Sequence, residues 1–107
     1  MNFFKKIIAT LRFNEAVRQA TKAYKQDGNR YYVMPTTGDK GHLIIMNRYN
    51  FRKLKMKKYI SQKATVRDLE QKCFYATPYK NGSGELSEQM AKQKKEAYFK
   101  WLEEISK

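Results

Sequence analysis

A chain of 107 residues, 41% apolar and 14% aromatic, has the apolar mass for one folded domain, too little for two cores, and too many rings for a disordered basic tail. Its net charge of +13 points to an anionic partner. A single cysteine, Cys73, and a single histidine, His42, exclude an internal disulfide and the clustered ligand spacing of zinc and transition-metal sites.

The charge is uneven: residues 1–63 hold 15 Lys and Arg against 3 Asp and Glu, and residues 64–107 hold 8 against 7. The N-terminal segment is basic and apolar, but Lys5, Lys6 and Arg12 interrupt every run that an export signal would need. No stretch approaches the roughly 18 consecutive apolar residues of a membrane span. With no disulfide to protect, the expectation is a cytoplasmic protein.

A helix is expected over residues 3–27, with Phe4, Ile7, Ile8 and Leu11 followed by Phe13, Ala16, Val17, Ala20, Ala23 and Tyr24 at helical spacing. The stripe slips near Phe13, where Asn14 can cap a second helix, so one helix or two both fit. Asp27, Gly28 and Asn29 end it, because Gly and Asn accept the left-handed conformation that closes a helix. Residues 30–34 and 42–46 are rich in strand formers and read as a hairpin, with Pro35 closing the first strand. The tip from Thr36 to Gly41 superficially resembles a phosphate-cradling loop, but it lacks the P-loop spacing and links two strands, so it reads as a turn.

Residues 50–60 admit two readings. Asn50 can cap a helix that buries Phe51 and Leu54; alternatively Leu54, Met56 and Ile60 lie on one face of a strand. The unbranched Arg, Lys, Leu and Met residues favour the helix. Thr65 to Asp68 forms a capping box for a short helix to about Lys72, and residues 73–77 read as a third strand stopped by Pro78. Loop 78–86, centred on Asn81 to Gly84, leads into a helix over 87–106 with Met90, Ala97, Tyr98, Trp101, Leu102 and Ile105 on one side. The fold class is α+β: one domain with a small three-stranded antiparallel sheet (core 30–77) covered by the N- and C-terminal helices, and a short basic helix after the hairpin.

No motif identifies a chemistry. His42 and Cys73 have no nucleophile or base partner in a recognisable pattern, and Glu88, Glu96, Glu103 and Glu104 fit the solvated side of the last helix, so neither an enzyme nor a cofactor is expected. The densest charge is Arg48, Arg52, Lys53, Lys55, Lys57 and Lys58, six cations with no acid among them. Such a surface repels itself unless phosphates neutralise it, and it is the expected nucleic-acid-binding site, for DNA or RNA. Ordinary solvation is the competing explanation. Tyr49 and Phe51 beside it serve equally as stacking platforms or as core.

In the pairs Tyr31 with Tyr32 and Phe74 with Tyr75, one ring should face the core and one outward, with cross-strand packing preferred to RNA stacking. Phe4, Ile7, Ile8 and Leu11, flanked by Lys5, Lys6 and Arg12, form a second surface. Packing on the chain's own sheet ranks first, a protein partner, bound through this helix or through the hairpin edge, next, and an anionic membrane last. Oligomeric state, biological process and sequence specificity are not legible.

Overall fold

The computed structural model describes residues 2–36 and 41–105. Its elements are α1 (Phe3–Asp27), β1 (Tyr32–Pro35), β2 (Leu43–Met46), α2 (Arg48–Met56), α3 (Val66–Lys72), β3 (Tyr75–Ala76) and α4 (Glu88–Ile105). The three strands form one antiparallel sheet in the order β2-β1-β3, which is the α+β architecture read from the sequence.

Helix α1 is one helix, not two. Its cap is Asn2, whose side chain accepts from the Lys5 backbone N–H at 2.8 Å, and Asn14 lies in the interior. Gly28 closes it at φ 76° and donates its N–H to the Tyr24 carbonyl. The slip in the stripe is a change of face. Ala9, Phe13, Ala16 and Ala20 are buried and share one side of the helix. At about 100° per residue, Phe4, Ile7, Ile8 and Leu11 fall on roughly the opposite side.

Those four side chains are 41–76% exposed, as is Phe3 at 74%. The expectation that they pack on the chain's own sheet is therefore incorrect. The sheet needs only the stripe that begins at Ala9, where alanines let the helix approach closely.

In the hairpin, Tyr32 pairs with Met46, Val33 with Ile45, Met34 with Ile44 and Pro35 with Leu43. Pro35 ends β1 rather than following it. Strand β3 pairs only with Tyr32 and Val33, so the missing proline donor falls beyond its reach. The core of the expected tip, residues 37–40, lies outside the described residues. Strand β3 is also shorter than the five residues expected: only Tyr75 and Ala76 pair as strand, flanked by bonds from the Phe74 N–H to the Val33 carbonyl and from the Thr77 N–H to the Tyr31 carbonyl.

Both sheet faces are covered. Val33, with Leu43, Ile45 and Tyr75, meets α1 and α4 in a core containing Phe13, Phe74 and Tyr98. Tyr32 and Met46, with Ala76, meet α2 and α3 in a second core with Phe51, Leu69 and Cys73. Strand alternation thus sends Tyr31 to one cluster and Tyr32 to the other, and the expected outward-facing ring is absent from that pair. Phe74 precedes β3 and escapes its alternation, so Phe74 and Tyr75 both join the first core. In α4, Tyr98 is buried and Trp101, Leu102 and Ile105 are half-buried, whereas Met90 and Ala97 are exposed.

Candidate functional site

Helix α2 forms where the sequence favoured a helix over a strand, but it begins two residues earlier than Asn50. The true cap is Asn47, whose side chain accepts from the Asn50 N–H at 2.8 Å, while the Asn50 side chain accepts from the Asn47 N–H at 3.3 Å. Two asparagines thereby satisfy donors at the first turn reciprocally. Phe51 is buried and Leu54 half-buried, which fixes the helix on the sheet and leaves the remaining surface to solvent. No acid occupies the first turn, so nothing offsets the positive end of the helix there.

The six expected cations divide by role. Arg48, Arg52 and Lys55 stand at i, i+4 and i+7 on one helical row, and Tyr49, Lys53 and Met56 occupy the adjacent row. Arg48 is anchored: it donates to the Tyr79 hydroxyl at 2.6 Å and lies 3.5 Å from the Glu70 carboxylate. Lys55 is also committed, donating to the Ala64 carbonyl at 2.6 Å and holding the 57–64 turn to the helix. Arg52, Lys53, Lys57 and Lys58 are exposed, and Lys53 stands 5.6 Å from the centroid of the Tyr49 ring.

Lys58 has a backbone feature the sequence did not announce. Its φ is 65°, and the bonds from the Lys58 N–H to the Lys55 carbonyl and from the Tyr59 N–H to the Leu54 carbonyl define a Schellman closure of α2. Glycine is the usual residue at that position. A lysine there costs on the order of 1 kcal/mol in backbone strain.

Cations from two other places in the chain approach the α2 N-terminus. An open groove of about 790 Å³ is lined by Arg30, Arg48, Arg52 and Lys80 together with Tyr49 and Tyr79. Lys80 reaches it because its aliphatic stem crosses Gly28, where a Cβ would come within 3.2 Å of it. The turn carrying Lys80 is closed by the Tyr79 N–H to the Ser83 carbonyl at 2.8 Å and is tied to α1 by the Tyr24 hydroxyl on the Tyr79 carbonyl at 2.9 Å. Asp27 lines the same groove, but its carboxylate already accepts from the Tyr31 hydroxyl and the Asn29 N–H.

Under the groove lies a charged hub that the sequence concealed. Glu70 accepts from the hydroxyls of Tyr32 and Tyr79 and pairs with Arg30 at 3.1 Å. Burial disfavours its charged form. The two hydroxyl donors and the guanidiniums of Arg30 and Arg48 outweigh that, so its carboxyl titrates below the ordinary value of 4.5.

The Arg30 side chain is 7% exposed, with its guanidinium 4.6 Å from the Tyr79 ring centroid and donating to the Gly84 carbonyl at 2.7 Å. Its buried Nε has no hydrogen-bond partner. Gly84 has φ 76°, and a Cβ there would fall 2.5 Å from the same guanidinium, so only glycine lets this turn close over Arg30. Burial raises the Tyr32 hydroxyl pKa well above its ordinary value, and the bond to Glu70 adds to the shift, so it remains a donor.

Sequence reasoning identified Arg48, Arg52 and Tyr49 but not Arg30, Glu70, Tyr79 or Lys80. Those four are scattered through unremarkable segments and converge only in three dimensions. Among the described residues no group of three or more His, Cys, Asp or Glu is placed to hold a metal ion, and no helix is long and apolar enough to cross a membrane. Cys73 is buried, and its thiol is pushed up by that burial. No protein-family model, curated protein or solved structure matches this chain.

Proposed function

We propose that this chain is a non-enzymatic cytoplasmic binding domain that contacts nucleic-acid phosphates through the surface of Arg48, Arg52, Lys53, Lys55, Lys57 and Lys58. The observation that carries the reading is the meeting of Arg48 and Arg52 with Arg30 and Lys80, distant in sequence, around one groove. Glu70 balances Arg30 and Arg48, whereas solvation gives no reason for the exposed Arg52 and Lys80 to be brought to the same groove, and a polyanion does. Exposed Lys53, Lys57 and Lys58 flank the same helix and extend the surface. Arg48 and Lys55 are partly committed to the fold, so their contribution to binding is smaller than that of the exposed cations.

Binding to labelled DNA and RNA at increasing salt tests the reading. Affinity should fall steeply with salt, and each phosphate-contacting cation removed should lower the slope by about one. Changing Arg52, Lys53, Lys57 and Lys58 to Glu should abolish binding while the circular dichroism spectrum is retained. A folded wild-type protein that ignores both nucleic acids at low ionic strength refutes it.

A second reading is favoured by a separate observation. Phe4, Ile7, Ile8 and Leu11 form an exposed apolar face directed away from the stripe that α1 buries, with Lys5 and Lys6 beside it. That arrangement suits a protein partner offering an apolar groove with an acidic rim. The resulting complex should survive high salt and weaken when Phe4 and Ile8 are changed to Ser.

A further inference from the structure

We infer that the groove at the N-terminal end of α2 takes an unpaired nucleotide, so that single-stranded nucleic acid is the preferred form of the polyanion. This rests on the nucleic-acid reading above and narrows it. To read a duplex, a helix must protrude as a ridge that can enter a groove about 12 Å wide. The row of α2 bearing Arg48 and Arg52 instead walls a concavity closed on its far side by the Lys80 turn. A concave cationic surface fits a flexible strand that can bend into it, and a rigid duplex can only lie across its rim.

The second observation is a ring. Tyr49 lines the groove, is 65% exposed, and has no place in either core. Stacking needs such a face, available at little desolvation cost and adjacent to positive charge. The Lys53 ammonium stands 5.6 Å from the ring centroid, and Arg52 lies on the neighbouring helical row. A base on Tyr49 would therefore bring its phosphates between Arg52 and the exposed Lys80. The floor beneath does not yield, because Tyr79 is held by Arg30, Arg48 and Glu70.

The test is a fluorescence-anisotropy titration of short mixed-sequence oligonucleotides, single-stranded DNA, single-stranded RNA and the corresponding duplex, against wild type, Tyr49→Ala and Tyr49→Phe. Single strands should bind more tightly than duplex. Tyr49→Ala should weaken single-strand binding by about tenfold and leave duplex binding unchanged, and Tyr49→Phe should retain the wild-type affinity because the ring persists. Equal affinity for single strands and duplex, or indifference to Tyr49→Ala, overturns this inference and leaves phosphate binding standing. Failure of every oligonucleotide to bind at low salt overturns both. The side chain of Tyr49 is outside the cores, so the alanine variant should fold as wild type does.

Discussion

The two cores on opposite faces of the sheet are held by different forces. Between the sheet and α1 with α4, cohesion is aromatic: Tyr98 lies 5.9 Å from Phe13 and 5.3 Å from Phe74 between ring centroids, and only its hydroxyl, donating to the Gly41 carbonyl, is polar. Between the sheet and α2 with α3, a smaller apolar cluster is bordered by the hub of Glu70, Tyr32, Tyr79, Arg30 and Arg48. The first face owes little of its order to charge. The second owes part of its order to charge, and it is the one that carries the groove, so a polyanion bound there competes for groups that also position the site.

Five variants probe that contrast. Tyr98→Ala should cost about 3–5 kcal/mol in denaturant unfolding, with little dependence on pH, because it empties the centre of the aromatic core. Glu70→Ala should cost about 2–3 kcal/mol at neutral pH, since it leaves Arg30 buried without its anion. The pH dependence has a definite sign. Because folding lowers the Glu70 pKa, its contribution is complete above the ordinary value of 4.5 and disappears as pH falls through the lower folded value, so wild type and Glu70→Ala should converge in acid. A gap that stayed constant across that range would show that the hub is held by packing.

Lys58→Gly should raise stability by about 1 kcal/mol while weakening polyanion binding, because the left-handed position accepts glycine without strain and loses a cation. Loss of stability instead would mean that the lysine side chain supports the turn. Lys53→Ala with Lys57→Ala should change stability by less than about 0.5 kcal/mol, both side chains being exposed, and should reduce binding. Lys55→Ala provides the control, costing about 1 kcal/mol through its bond to the Ala64 carbonyl.

Local chemistry made some boundaries legible and misplaced others. Gly28 and the Thr65–Asp68 box act where expected, with the Asp68 carboxylate accepting from the Thr65 N–H at 2.8 Å. Asparagine was ambiguous at two places. Asn14 and Asn50 have the composition of caps, yet Asn2 and Asn47 are the caps used, because packing of Phe13 and Phe51 sets where each helix must already be running. Strand β3 is shorter than its aromatic residues favour, because only Tyr75 and Ala76 have ladder partners.

For the candidate site, a run of cations was visible in the sequence, but which of them are spent on the fold was not. Lys55 and Lys57 differ in role although their local chemistry is the same. Lys94 gives the same lesson: it stands among the lysines of α4, yet its ammonium donates to the Glu70 and Cys73 carbonyls and holds the end of α3.

Periodicity, turn residues and charge count by themselves determined the α+β class, the order of helices and strands, and the basic bias of the first 63 residues, because these depend on neighbours within a few positions. The tertiary structure alone decided which of the two apolar faces of α1 is buried, that Glu70 underlies the groove, and that Arg30 and Lys80 join Arg48 and Arg52. Each depends on contacts between residues tens of positions apart, and neither helical period nor composition encodes such distances.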